Sequence, residues 1–97
     1  MIDAGDIYIA DIGRDRRTPV LVLSIADFTL ASRRVLIAPA QVGKQTAELP
    51  PWHIPIDGQV FSVDRARTVR ADRLLDRVGR APPSAAMRAR RAIRAIT

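Results

Sequence analysis

The sequence contains no cysteine, which excludes disulfides and thiolate metal sites and fits a reducing compartment. It contains one histidine, His53, so a histidine-based metal site has no second ligand of its own type. Long apolar runs are missing as well. The stretch "VLVLSIA" is about a third of the length that a membrane-spanning helix requires. The opening "MIDAGDIYIADI" is acidic and has no basic segment ahead of an apolar one, so it does not read as a secretory leader. The expectation is a soluble cytoplasmic protein with no membrane partner. Phosphate-loop, nucleophile-elbow and zinc-protease motifs are absent. The carboxylates are scattered, with no acid–base pair and no cluster suited to a divalent cation. No cofactor is implied.

What the sequence has in quantity is arginine. Fifteen of the sixteen basic residues are Arg, and the net charge is +6 over 97 residues, a length that suits one domain spanning 1–97. The charge is segregated. Residues 1–64 carry six basic and eight acidic side chains, whereas residues 65–97 carry ten arginines against Asp72 and Asp76. Such a split is the footprint expected of a polyanion-binding protein. A genome that writes arginine wherever a solvated cation will serve gives the same footprint.

The apolar pattern indicates several short strands followed by one helix. "GDIYIADIG" is β-branched and aromatic and ends at Gly13. After a turn "RDRR", Pro19 suits the first position of a strand, and "VLVLSI" (Val20–Ile25) has the unbroken apolarity of a strand covered on both faces. "ADFTLASRR" reads as a connection, "VLIAPA" (Val35–Ala40) as the next buried strand, and "QVGKQTAELPP" as a loop. "WHIPI" and "QVFSV" flank the hairpin signal Asp57–Gly58. Arg67–Val69 is extended, and a short helical turn ends at Gly79. The final segment begins at two prolines with Ser84 as its N-cap; Ala85, Ala89, Ala92, Ile93 and Ile96 form one apolar stripe opposite Arg88, Arg91 and Arg94. The fold class is therefore mainly β, β plus one C-terminal helix, built as a small barrel.

Arginine also defines the available chemistry. A guanidinium grips a phosphate through two parallel hydrogen bonds and stabilises charge developing on it. RNA carries its own nucleophile, the 2′-OH, so a protein cleaves it by holding that hydroxyl in line with the phosphate. Arg14, Arg16 and Arg17 on one loop, with Gln41 and Lys44 on another, can line such a groove. Trp52 is either core or a stacking surface, and His53 either structural or a proton-transfer group.

Taken in order, "GDIYIADIG", "TPVLVLS", "VLIAPAQ", "LPPWHIPI" and "VDRARTVRADRLLDRVG" resemble the successive segments of the MazF/PemK/Kid toxins over nearly the whole chain. The resemblance implies an SH3-like small barrel of the MazF/CcdB type, a homodimer, a MazE-like antitoxin partner, and operator DNA as a contact of the antitoxin complex. It also implies metal-independent endoribonuclease cleavage of single-stranded RNA to 2′,3′-cyclic phosphate and 5′-OH ends. Two positions depart from the family. The catalytic arginine that precedes the proline is here Thr18, with Arg17 one step earlier, and the catalytic Thr or Ser after the third strand is here Gln41. The expected site is therefore Arg17 for the phosphate charge, Gln41 for the nucleophile, Thr18 at the altered position, and Arg14, Arg16 and Lys44 for RNA phosphates. The alternative is a catalytically altered family member that binds antitoxin, nucleic acid or, like the related CcdB poisons, gyrase.

Overall fold

The computed structural model describes residues 1–13, 16–41 and 49–97. Seven strands and two α-helices follow one another: β1 (Asp6–Gly13), β2 (Arg16–Val22), α1 (Ala26–Ser32), β3 (Arg34–Pro39), β4 (His53–Ile56), β5 (Gln59–Ser62), β6 (Arg67–Arg70), β7 (Leu74–Arg80) and α2 (Pro83–Ile96). Short 3-10 turns at Val63–Arg65 and Ala71–Arg73 precede β6 and β7.

Five strands form an antiparallel sheet in the order β6-β3-β2-β1-β7, and β4 and β5 form a separate hairpin. β6 and β7 occupy opposite edges of the sheet, yet only Ala71–Arg73 joins them. The four Cα–Cα steps from Arg70 to Leu74 reach at most about 14 Å even when extended. The sheet must therefore curl until its edges approach, which produces the barrel-like shape expected for this fold class. The hairpin is attached by a bridge between Ala40 and Phe61 and by the Gln41 N–H, which donates to the Val60 carbonyl at 2.7 Å.

Both faces of the sheet are covered, which explains the unbroken apolar runs. Ala10, Val20, Val22, Val35, Ile37 and Leu74 pack inside the curl. Ile7, Leu21 and Ala38 face the other way, against Ile54, Ile56 and Phe61 of the hairpin and Ala85, Ala89 and Ala92 of α2. The alanine stripe read from the sequence is thus the docking face of α2; Ile93 is partly buried and Ile96 lies exposed at its end. Asp57 and Gly58 both have positive φ (49° and 80°), the conformation that a two-residue hairpin turn requires.

Four expectations are corrected. β2 begins at Arg16, three residues before Pro19, so Arg16, Arg17 and Thr18 are strand rather than turn. The segment up to Gly79 is β7, apart from the 3-10 turn at its start. Its ladder with β1 shifts register twice, and those shifts erase the period-two alternation that would have marked a strand. "ADFTLASRR" holds α1, whose first N–H at Ala26 is accepted by Asp3 Oδ1 at 3.0 Å from far along the chain. This helix buries no residue fully, so it leaves no apolar stripe in the sequence. Pro82, not Ser84, occupies the N-cap of α2, with Pro83 at the first helical position, where its missing N–H costs nothing.

Candidate nucleic-acid interface

The strand assignment of Arg16–Thr18 decides which arginine reaches the candidate site. Side chains alternate along a strand, so Arg16 and Thr18 share the face of Val20 and Val22, and Arg17 shares the opposite face with Leu21. Past Thr18 the apolar lining of the curl ends, and the barrel opens into a cavity of about 500 Å³. It is lined by Ile12, Gly13, Arg16, Thr18, Pro39, Ala40, Gln41, Ser62 and Arg65. Arg16, Thr18 and Gln41 are thereby brought together as expected. Arg17, expected beside them, is exposed and does not line the cavity. Arg14 and Lys44 lie outside the described residues.

Two further contributors were missed by sequence reasoning. Arg65 stands in the 3-10 turn after β5, and Ser62 is the last residue of β5. Ser62 lies in no motif, and Arg65 lies in the family-like segment that opens at Val63 but was not read as a site residue; the hairpin, by returning the chain to Gln41, brings them to the cavity. Ser62 is 1% exposed, and its hydroxyl has no hydrogen-bond partner among the described residues. Among the described residues neither Arg16 nor Arg65 takes part in an ion pair.

Gln41 is held from behind. Its Nε2 lies 2.9 Å from both ring nitrogens of His53, and His53 Nε2 lies 3.3 Å from Asp64 Oδ1. Asp64 belongs to the turn that carries Arg65. His53 therefore supports the cavity without lining it, and Trp52, 37% exposed, lies outside the lining.

A second cavity of about 540 Å³ shares Asp11–Gly13 of β1 with β3 and β6, and Arg34, Arg67, Arg70 and Arg73 line it. Here the guanidiniums are engaged: Arg67 donates to the Ile12 carbonyl, Arg70 meets Asp72 at 2.6 Å and Arg73 meets Asp11 at 3.7 Å. The two cavities adjoin at Ile12 and Gly13, so the basic lining is continuous across the end of β1. No group of three or more His, Asp or Glu side chains suited to a metal ion gathers among the described residues. No helix among them is long and apolar enough to cross a membrane.

The fold has solved counterparts. The Mycobacterium tuberculosis toxin MazF-mt6 superimposes with a TM-score of 0.73 at 24% identity, covering 91% of each chain. An endoribonuclease from Mycobacterial species, solved with its cognate antitoxin, gives 0.78 at 21% identity, over 98% of this chain and 93% of that one. A MazE-MazF structure from Deinococcus radiodurans gives 0.79 at 21%, with the same coverage. No curated protein sequence matches the chain. A family model described as PemK-like, MazF-like toxin of type II toxin-antitoxin system matches residues 3–97. With the ordered segments, the curled sheet and its basic opening all in agreement, the chain belongs to the PemK-like, MazF-like toxin family of type II toxin–antitoxin systems.

Proposed function

We propose that the chain acts as an endoribonuclease on single-stranded RNA, with the cavity at the barrel opening as its site. One observation carries the reading: Arg16 and Arg65, whose guanidiniums have no ion pair among the described residues, line one cavity with Thr18, Gln41 and Ser62. In the reaction, the ribose 2′-oxygen attacks the adjacent phosphorus and loses its proton. The bond to the 5′-oxygen breaks, and that oxygen gains a proton, leaving a 2′,3′-cyclic phosphate and a 5′-OH. RNA supplies the nucleophile, so the protein needs only to align it and to stabilise charge on the phosphoryl oxygens. Arg16 takes the role first assigned to Arg17, because it shares the face of Thr18, the position of the family's arginine. Arg65 is the second cation, and Gln41 orients the nucleophile.

The neighbouring basic cavity extends the reading to RNA flanking the scissile phosphate. An acidic antitoxin segment is the matching partner, and the complex solved for the Mycobacterial endoribonuclease is its model. A homodimer belongs to the same proposal. Thr18 favours a second reading, in which the site binds RNA or antitoxin without cutting, because a guanidinium relocated by two residues must still meet the phosphate closely.

The test is incubation of the purified chain with a mixed single-stranded RNA pool in EDTA, followed by end-group analysis. Discrete cuts with cyclic-phosphate ends are expected. Arg16→Ala and Arg65→Ala should each lower the rate about 100-fold, an electrostatic loss of the usual size for one group. Arg17→Ala should retain activity. Intact RNA from the folded parent protein across many sequences gives the decision to the binding reading.

A further inference from the structure

We infer that a third cavity, at the C-terminal end of α1, is an exosite for substrate RNA away from the scissile phosphate, with Arg33 as its cation. The inference extends the RNA reading of the barrel opening and rests on it for the identity of the ligand. The cavity holds about 630 Å³, and Leu30, Arg33, Arg34, Arg70 and Asp72 contribute to its lining. Arg34 and Arg70 also line the second cavity, which meets the barrel opening at Ile12 and Gly13. The three cavities therefore make one continuous path, from Gln41 and Arg65 past the end of β1 and over the β3–β6 pair to α1. Seven arginines and two aspartates line that path. Asp72 is taken up by Arg70 and Asp11 by Arg73. Arg16, Arg65, Arg34, Arg67 and Arg33 are left without an ion pair among the described residues. A single strand, flexible and with a phosphate at every residue, can follow spaced cations round a curved surface. A duplex, stiff over many base pairs, cannot.

The backbone singles out Arg33 within this path. Among the described residues, positive φ occurs at Gly5, Asp57, Gly58 and Arg33. Glycine takes that region freely and aspartate tolerates it, whereas arginine adopts it rarely. Arg33, at φ 59° and ψ 22°, is held there from both sides. Its N–H donates to the Thr29 carbonyl at 2.7 Å, and its carbonyl accepts from the Ala71 N–H at 3.0 Å. The helix end thus needs a left-handed residue, and glycine would serve it at lower cost. The chain carries a cation at that point instead, beside the end of a basic path, and strain retained in this way marks a residue with work besides folding. Leu30, 65% exposed, adds apolar surface to the same cavity. A guanidinium beside exposed apolar surface suits a nucleotide, whose phosphate is anionic and whose base has an apolar face.

The test compares the full chain with its Arg33→Gly and Arg16→Ala variants by fluorescence anisotropy. The ligands are 2′-O-methyl oligonucleotides, which lack the 2′-OH nucleophile, in lengths of about 4 to 16 nucleotides, the span of single-strand sites on small barrels. Arg33→Gly should melt at or above the parent's temperature, because glycine relieves the left-handed backbone. It should bind the shortest oligonucleotides, which the opening alone accommodates, as the parent does. On the longest it should lose about fivefold in affinity, the worth of one exposed charge pair, and its salt slope should flatten by about 0.7. A 4-thiouridine near one end of the longest oligonucleotide should photo-cross-link to α1 in the parent and not in Arg33→Gly. Equal loss at every length, or no loss at any, overturns the exosite. So does an Arg33→Gly protein that loses affinity for a poly-glutamate peptide while keeping the long oligonucleotide, since the cavity then belongs to an acidic protein segment. Arg16→Ala separates the two readings. If it binds every length as tightly as the parent, the RNA reading of the opening falls and the exosite with it. If it weakens binding while Arg33→Gly changes nothing, the opening keeps its RNA and only the exosite falls.

Discussion

At the scale of single residues, the cavity is notable for a group that costs stability. The Ser62 hydroxyl is buried and has no partner among the described residues, and a desolvated hydroxyl without a hydrogen bond is unfavourable by about 1–3 kcal/mol. Nothing in the packing of β5 demands a polar side chain there, since its neighbours Phe61 and Val63 are fully buried and apolar. The hydroxyl is consistent with a group held ready for a ligand. Ser62→Ala should then raise stability by about 1 kcal/mol in urea titration while weakening RNA binding or cleavage. Among the described residues Thr29 carries another orphan hydroxyl, on α1 and away from this cavity, so Thr29→Val is the control: it should change stability only. A Ser62→Ala protein that is less stable, with RNA handling unchanged, would show that the hydroxyl is structural.

Between elements, Asp6 is the charge that closes the sheet on its β7 side. It is 2% exposed, and its carboxylate meets Arg80 Nη1 at 2.7 Å and Arg77 Nε at 3.3 Å across the β1–β7 pair, while the Asp3 N–H donates to it at 3.0 Å. Burial pushes its pKa up, but the Asp3 N–H and the hydrogen bonds from Arg80 and Arg77 outweigh that effect, so the carboxyl sits below its ordinary value of 3.8. A depressed carboxylate stabilises the fold fully above its unfolded value and loses that contribution as pH falls through the folded one. Asp6→Asn should therefore cost roughly 1–2 kcal/mol near pH 7, a discounted figure because both guanidiniums are half in water. The gap between parent and variant should close below about pH 4 in acid titrations followed by circular dichroism. A gap independent of pH would assign the loss to packing. The same ladder shows what sequence could and could not reveal. β1, β3, the Asp57–Gly58 turn and α2 were legible because local apolar pattern or turn chemistry specifies each. β7 and α1 were not, because one takes its conformation from pairing with β1 and the other receives a cap from Asp3. The site was legible to the same extent. Gln41 and Thr18 stood out as departures from the family pattern, and Arg16 as part of a basic run. The choice of Arg16 over Arg17 turned on strand phase, and Arg65 and Ser62 arrive only through the hairpin.

For the whole molecule, the question is whether the arginines act as an organised surface or as a diffuse positive field. The net charge of +6 alone does not distinguish the two. The placement does: Arg16 and Arg65 line one cavity, Arg34, Arg67, Arg70 and Arg73 the next, while Arg88 and Arg91 of α2 line neither. Each arginine that pairs with an RNA phosphate releases a counterion and steepens the fall of affinity with salt. Arg70 and Arg73 are paired with Asp72 and Asp11; if the other four, Arg16, Arg65, Arg34 and Arg67, each hold a phosphate, the slope of log K against log salt should be near −3, at about −0.7 per contact for a single strand. Arg16→Ala and Arg65→Ala should each flatten it by about 0.7, and Arg88→Ala and Arg91→Ala should leave it unchanged. These slopes are read from fluorescence-anisotropy titrations of a deoxy-blocked oligonucleotide between about 50 and 200 mM salt. Equal flattening by all four variants would mean that RNA meets only a diffuse field, with no groove at the barrel opening to align a phosphate. Flattening confined to the cavity pair would mean that phosphates are held where the Gln41 amide and the Ser62 hydroxyl are, the arrangement on which any cleavage by this chain depends.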